Sequence, residues 1–135
     1  MANSLVILNK AKQNNIHLIC FPYAASISNV FGDWPSQLLD VEVCIAPYPE
    51  LDIMTAETVE YSSYFNQLVI DCKNHIEKKF AIFGHSMGSM LAYNLSRSLE
   101  NYGLFPEFVV FSGSCSPFAV NEDEKKYIYY QMTNL

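Results

Sequence analysis

Residues 80–88 read Phe80-Ala81-Ile82-Phe83-Gly84-His85-Ser86-Met87-Gly88 (FAIFGHSMG): four apolar residues running directly into a G-x-S-x-G pentapeptide. A short apolar, aromatic-rich run bounded by glycine reads as a buried strand. Beyond it, Met87, Met90, Leu91, Leu95 and Leu99 recur at helical spacing and share one face. Strand, tight turn and helix in direct succession is the setting in which a serine is held on a sharp elbow with its hydroxyl exposed. So sharp a turn strains the backbone at the serine and leaves no room for side chains two residues to either side, which is where Gly84 and Gly88 stand. Ser86 is therefore the candidate nucleophile. The Met87 N–H, at the start of the helix, is a candidate oxyanion donor. Gly84, His85 and Gly88 complete the elbow. The competing reading is an ordinary strand-to-helix turn in which Ser86 merely caps the helix.

Outward from this segment, residues 17–22 (HLICFP), 41–46 (VEVCIA) and 108–111 (FVVF) read as further short strands, apolar enough to be covered on both faces of a parallel sheet. Residues 5–8 read as an extra antiparallel strand, returning through an Asn14-Asn15 turn. In residues 58–76, Tyr61, Phe65, Leu68, Val69, Cys72 and Ile76 mark one helical face, and residues 34–39 form a shorter helix with Pro35 in its first turn. Alternation of strand and helix predicts an α/β fold with a mostly parallel sheet of about four to five strands and flanking helices. There is no repeat, linker or low-complexity tract, so residues 1–135 are expected to form part of one domain.

Composition narrows the function classes. Half of the residues are hydrophobic and only 16% are charged, the balance of a packed core rather than a disordered chain. Eight Lys and Arg against a net charge of −6 argue against a nucleic-acid partner and against an anionic membrane surface. Cys20, Cys44, Cys72 and Cys115 show no C-x-x-C pair, and no histidine stands at metal-ligand spacing, so no metal site is expected. Cys20 and Cys44 sit in apolar runs, as reduced, buried cysteines do. With no signal peptide and no apolar run approaching ~20 residues, the expectation is a cytoplasmic protein.

The loop after the first central strand reads Pro22-Tyr23-Ala24-Ala25-Ser26. By itself it is a loop of small residues. A second oxyanion donor is expected from this place, and the Ala24 N–H is the candidate, with Tyr23 and Ala25 as candidate substrate contacts. Cys20 to Ser26, Tyr48-Pro49, Phe83 to Gly88 and Phe111-Ser112-Gly113 together resemble the type II thioesterases of nonribosomal peptide and polyketide synthesis, over most of the chain. The resemblance implies an α/β-hydrolase fold with a mobile helical lid, of which this chain carries the N-terminal portion, with residues 118–135 as the start of the lid. It implies hydrolysis of acyl-phosphopantetheine thioesters on an acyl or peptidyl carrier protein, and no cofactor. The chain departs from the family in having Ala25-Ser26 where Gly-Gly is usual, and methyl bulk there narrows the oxyanion loop.

A serine hydroxyl needs a base to take its proton and an acid to orient that base, in the chain order Ser, acid, His. No histidine follows Ser86, and no carboxylate stands at Ser112-Gly113-Ser114. His85 is expected to point away from its neighbour, and His17 and His75 to be structural or on the surface. Asp123 and Glu122 read as charge at a helix start. The acid and base are thus expected from residues beyond this chain or from a second chain, possibilities that include a swapped dimer completing the sheet. A generic esterase or lipase sharing the elbow, and an inert carrier-binding or dimerising fragment, are the alternative functions.

Overall fold

The computed structural model describes residues 4–9, 16–22, 30–47 and 61–114. Eight elements follow one another: β1 (Val6–Ile7), β2 (Ile16–Phe21), α1 (Trp34–Gln37), β3 (Val41–Ile45), α2 (Tyr61–His75), β4 (Lys79–His85), α3 (Met87–Glu100) and β5 (Val109–Ser112). The strands form one sheet in the order β1-β3-β2-β4-β5. All pairs are parallel except β1 with β3. Among the described residues, expected and observed elements agree in type. The nucleophile-side strand is longer than its apolar run because Gly84 and His85 remain paired, with Phe111 and Ser112 of β5. The expected lid residues, 118–135, lie outside the described residues.

Strand alternation sorts side chains onto two faces. Ile19 and Phe21 of β2, Cys44 of β3 and Phe80 and Ile82 of β4 face α2 and α3, where they meet Leu68, Val69, Cys72, Leu91, Leu95 and Leu99. On the opposite face Cys20 and Val43 bury against Phe31, beside Trp34 and Phe83. Those three rings stack edge to face, with Phe31–Trp34 centroids 4.9 Å apart and Trp34–Phe83 5.0 Å. Edge-on aromatic contacts add about 0.5–1.5 kcal/mol each to the burial itself. They let a four-residue helix, with Pro35 in its first turn, cover that end of the sheet. Cys20, Cys44 and Cys72 are free and buried. Burial pushes the Cys20 and Cys72 thiols up to about 12, so neither is a ready thiolate. Among the described residues, no helix is long and apolar enough to cross a membrane.

The two-residue β1 is held by side chains as well as by its ladder. Asn9 bonds the backbone of β3 at both ends of its amide, from Nδ2 to the Val41 carbonyl at 2.9 Å and to Oδ1 from the Val43 N–H at 2.8 Å. Ahead of β1, the N–H and hydroxyl of Ser4 both donate to the Asp71 carboxylate of α2, which also accepts from Gln67. Partial burial tends to raise the Asp71 pKa. The bonds from Ser4 and Gln67 outweigh that and set it below its ordinary 3.8. A carboxyl with a depressed folded pKa stabilises the fold above its ordinary value, and that stability is lost as pH falls through the folded one. Urea unfolding between pH 5 and pH 2 is therefore expected to show a shallower acid loss in Asp71→Asn than in the unaltered chain. Identical acid limbs would exclude this role.

Candidate active site

Parallel strands β2, β3, β4 and β5 all end at one edge of the sheet, and Ser86 follows the last residue of β4 at that edge. It carries φ 55° and ψ −120°, and no other non-glycine residue among those described has a positive φ. A side chain avoids this region because Cβ crowds the backbone, at a cost of about 1–3 kcal/mol. Ser86 occupies the position before α3, yet its side chain makes no capping bond. The residue instead lies exposed. This disposes of the helix-cap reading: the residue has the place of an N-cap and neither its conformation nor its bond. The Met87 N–H is among the four at the start of α3 that have no partner within the helix.

Four neighbours hold the strain in place. The Ser86 N–H donates to the Ser112 carbonyl at 2.8 Å, which continues the β4–β5 ladder through the turn. Ser89, 3% exposed, donates its hydroxyl to the Gly84 carbonyl at 2.9 Å and so closes the elbow from within. A Cβ on Gly84 would lie 2.2 Å from the Gly88 carbonyl oxygen. One on Gly88 would lie 2.5 Å from the Phe21 carbonyl oxygen and 2.8 Å from that of Pro22. Both expected glycines are therefore required by backbone contact, and the second shows that the end of β2 runs across the first turn of α3. The loop that begins there holds Tyr23, Ala24 and Ala25, which lie outside the described residues.

His85 turns away from Ser86. Its Nδ1 meets the Ser112 hydroxyl at 3.0 Å, and its ring packs so closely on Gly113 that a Cβ there would stand 2.8 Å from Cε1. Gly113 also has φ 64°, so glycine is favoured there twice over. His17 and His75 belong to the opposite edge. His17 is the second residue of β2 and Glu42 the second of β3, and both rings bond the Glu42 carboxylate there. Neither can serve Ser86. Sequence reading missed the roles of Ser89, whose hydroxyl bonds the Gly84 carbonyl, and of Ser112, whose hydroxyl meets the His85 ring, since such contacts leave no periodic signal. It also missed the His17–Glu42–His75 cluster, because spacing along the chain is blind to neighbours brought together by sheet order.

The sequence pattern of the thioesterase domain family matches residues 16–128. The chain is 38% identical over 113 residues to a medium-chain S-acyl fatty acid synthase thioesterase of Anas platyrhynchos, covering 74% of this chain and 42% of that protein. It is 30% identical over 104 residues to LgrE of Brevibacillus parabrevis, named linear gramicidin dehydrogenase, covering 74% of this chain and 40% of that one. Of solved structures, the type II thioesterase BorB from the borrelidin biosynthetic cluster matches with a TM-score of 0.73 at 26% identity, over 87% of this chain and 49% of that one. The chain thus spans about two fifths of the length of these curated relatives. An exposed serine on a strained strand-to-helix elbow, on a mostly parallel sheet like that of these enzymes, agrees with the sequence match: the chain belongs to the thioesterase domain family.

Proposed function

We propose that this chain supplies the nucleophile-bearing part of a serine thioesterase that releases acyl groups from phosphopantetheine on carrier proteins in nonribosomal peptide or polyketide synthesis. The observation that carries the reading is the conformation of Ser86: strained, uncapped and exposed at the carboxyl edge of the sheet. A fold keeps such strain where a reactive group must be presented. Ser86 Oγ attacks the thioester carbonyl while its proton passes to a base. The Met87 and Ala24 N–H groups receive the developing oxyanion, the pantetheine thiol leaves, and water hydrolyses the acyl-serine.

Among the described residues the His85 ring is held by Ser112 and those of His17 and His75 by Glu42, so the acid and base are supplied by residues beyond these or by a second chain. The surface for such a completion is the β5 side of the sheet. β5 pairs only with β4 among the described residues, and Phe108 just before it and Val110 within it are exposed at 53% and 38%. Apolar side chains along an open sheet edge call for further strands.

The test is the intact mass of the chain after a fluorophosphonate probe, alone and continued into the C-terminal portion of a related type II thioesterase. The completed protein is expected to gain one adduct at Ser86 and to hydrolyse an acyl-carrier thioester faster than the oxygen ester of the same acyl group. Faster ester hydrolysis would favour the esterase reading. No adduct in the completed protein would leave an inert binding module.

A further inference from the structure

At the edge of the sheet opposite Ser86, three donor atoms from three elements converge, with a cysteine sulfur beside two of them. His17 Nδ1 on β2, Glu42 Oε1 on β3 and His75 Nε2 at the end of α2 all lie within 4.8 Å of one another. Cys44 Sγ stands 3.3 Å from the same Glu42 oxygen and 3.8 Å from His75 Nε2. We propose that His17, Glu42, Cys44 and His75 form a structural binding site for a divalent first-row transition metal, zinc in particular.

The arrangement follows from the topology. His17 and Glu42 are register partners in the parallel β2–β3 pair, so their side chains share a face. Cys44 is two residues beyond Glu42 and returns to that face. The last turn of α2, which packs on this face, sets His75 above them. Two imidazole nitrogens, a carboxylate oxygen and a thiol are a borderline-soft set, suited to zinc and ill suited to magnesium or calcium.

Two of the ligand–ligand distances already have tetrahedral spacing. Metal–ligand bonds of about 2.0–2.3 Å place neighbouring ligand atoms roughly 3.3–3.8 Å apart. The Cys44 sulfur has that spacing to Glu42 and His75 and must swing toward His17 to complete the set. His17 Nδ1 is closer to Glu42, at 2.9 Å, and His75 Nε2 closer still, because without an ion both rings bond the same oxygen. Small side-chain rotations open these two edges to metal spacing. The Glu77 N–H reaches His17 Nε2 at 3.5 Å, a long bond that is given up when Nδ1 binds metal and Nε2 takes the proton. Glu77 is exposed, so water replaces the lost partner. With the Glu42 carboxylate and the Cys44 thiolate bound, and the thiol proton released to solvent, a dication is neutralised where His17 is only 5% exposed. A pocket of ≈ 250 Å³ lined by Leu5, Ile7, Asp71, Asn74 and His75 reaches the cluster at His75.

The site would join β2, β3 and α2 at the end of the domain away from the elbow, and it does not depend on the thioesterase reading. The test is titration of the chelator-stripped chain with zinc chloride against a chromophoric zinc chelator, together with thermal unfolding. One equivalent is expected to bind with a sub-micromolar Kd and to raise Tm, while magnesium does neither. His75→Gln keeps a donor for Glu42 and is expected to fold as the metal-free chain does, yet to weaken zinc binding on the order of 100-fold. Cobalt is expected to show tetrahedral visible bands and a sulfur-to-cobalt band in the near ultraviolet, the latter lost in Cys44→Ser. No zinc binding by the folded chain, or equal binding by the His75→Gln chain, would overturn the site and leave a hydrogen-bonded clasp. A cobalt spectrum without a sulfur band would overturn Cys44 as a ligand.

Discussion

Gly88→Ala is expected to remove about 3 kcal/mol or more of stability, the upper end of what overpacking one methyl group does and a large share of a domain's roughly 5–15 kcal/mol. The reason is what the methyl meets. Its nearest neighbours would be the Phe21 carbonyl oxygen at 2.5 Å and the Pro22 carbonyl oxygen at 2.8 Å, main-chain atoms of a paired central strand and its continuation. Neither can swing aside as a side chain would. Gly84→Ala is worse placed still, with its methyl 2.2 Å from the Gly88 carbonyl oxygen. The comparison that isolates the clash is Gly103→Ala. Gly103 has φ 74° but nothing within 4 Å of a built Cβ. Only the left-handed backbone opposes that substitution, at about 1–2 kcal/mol. Urea midpoints followed by circular dichroism should fall in the order Gly103→Ala, then Gly88→Ala, with Gly84→Ala lowest. A Gly88→Ala chain as stable as the Gly103→Ala chain would mean that β2 does not cross α3 as described.

Substitution of Ser86 is expected to separate catalysis from stability. In the completed enzyme, both Ser86→Ala and Ser86→Gly should lower kcat by about 10⁴-fold or more, since removing a nucleophile removes the covalent route. Their stabilities should differ. Alanine keeps a Cβ at φ 55° and ψ −120° and so keeps the strain. Glycine relieves about 1–3 kcal/mol of strain and gives back about 0.5–1 kcal/mol through the freer unfolded chain. The Ser86→Gly chain is therefore expected to be more stable than the Ser86→Ala chain by about 1 kcal/mol, measured by urea unfolding. Fluorophosphonate labelling should vanish in both. Label or turnover surviving in either variant would remove Ser86 from the mechanism. A Ser86→Gly chain less stable than the Ser86→Ala chain would contradict the strained elbow.

Much of this was legible in the residues because local pattern records local structure. The run from Phe80 to Phe83, the helical period from Met87 to Leu99 and the two glycines between them specify a strand, a sharp turn and a helix without reference to the rest of the chain. The apolar runs that became β2, β3 and β5 were visible for the same reason. Their order in the sheet was not. Val6 and Ile7 pair with Ile45 and Cys44 rather than with the strand next in sequence, a choice made by which edge remains open once β2 has taken the centre.

The same limit applies to the polar groups. His17, Glu42 and His75 are 25 or more residues apart in sequence and become neighbours only because β2 lies beside β3 and α2 ends above them. Ser89 closes the elbow, and Ser112 holds both the Ser86 N–H and the His85 ring, through contacts that carry no periodic signal. Residue type and spacing, which act through propensity and periodicity over a few residues, determined the α/β class and the candidate nucleophile in this protein. Packing of distant segments, which acts through sheet order and face, decided what holds Ser86 in its strained conformation, where His85 points and which donors meet at the far edge of the sheet.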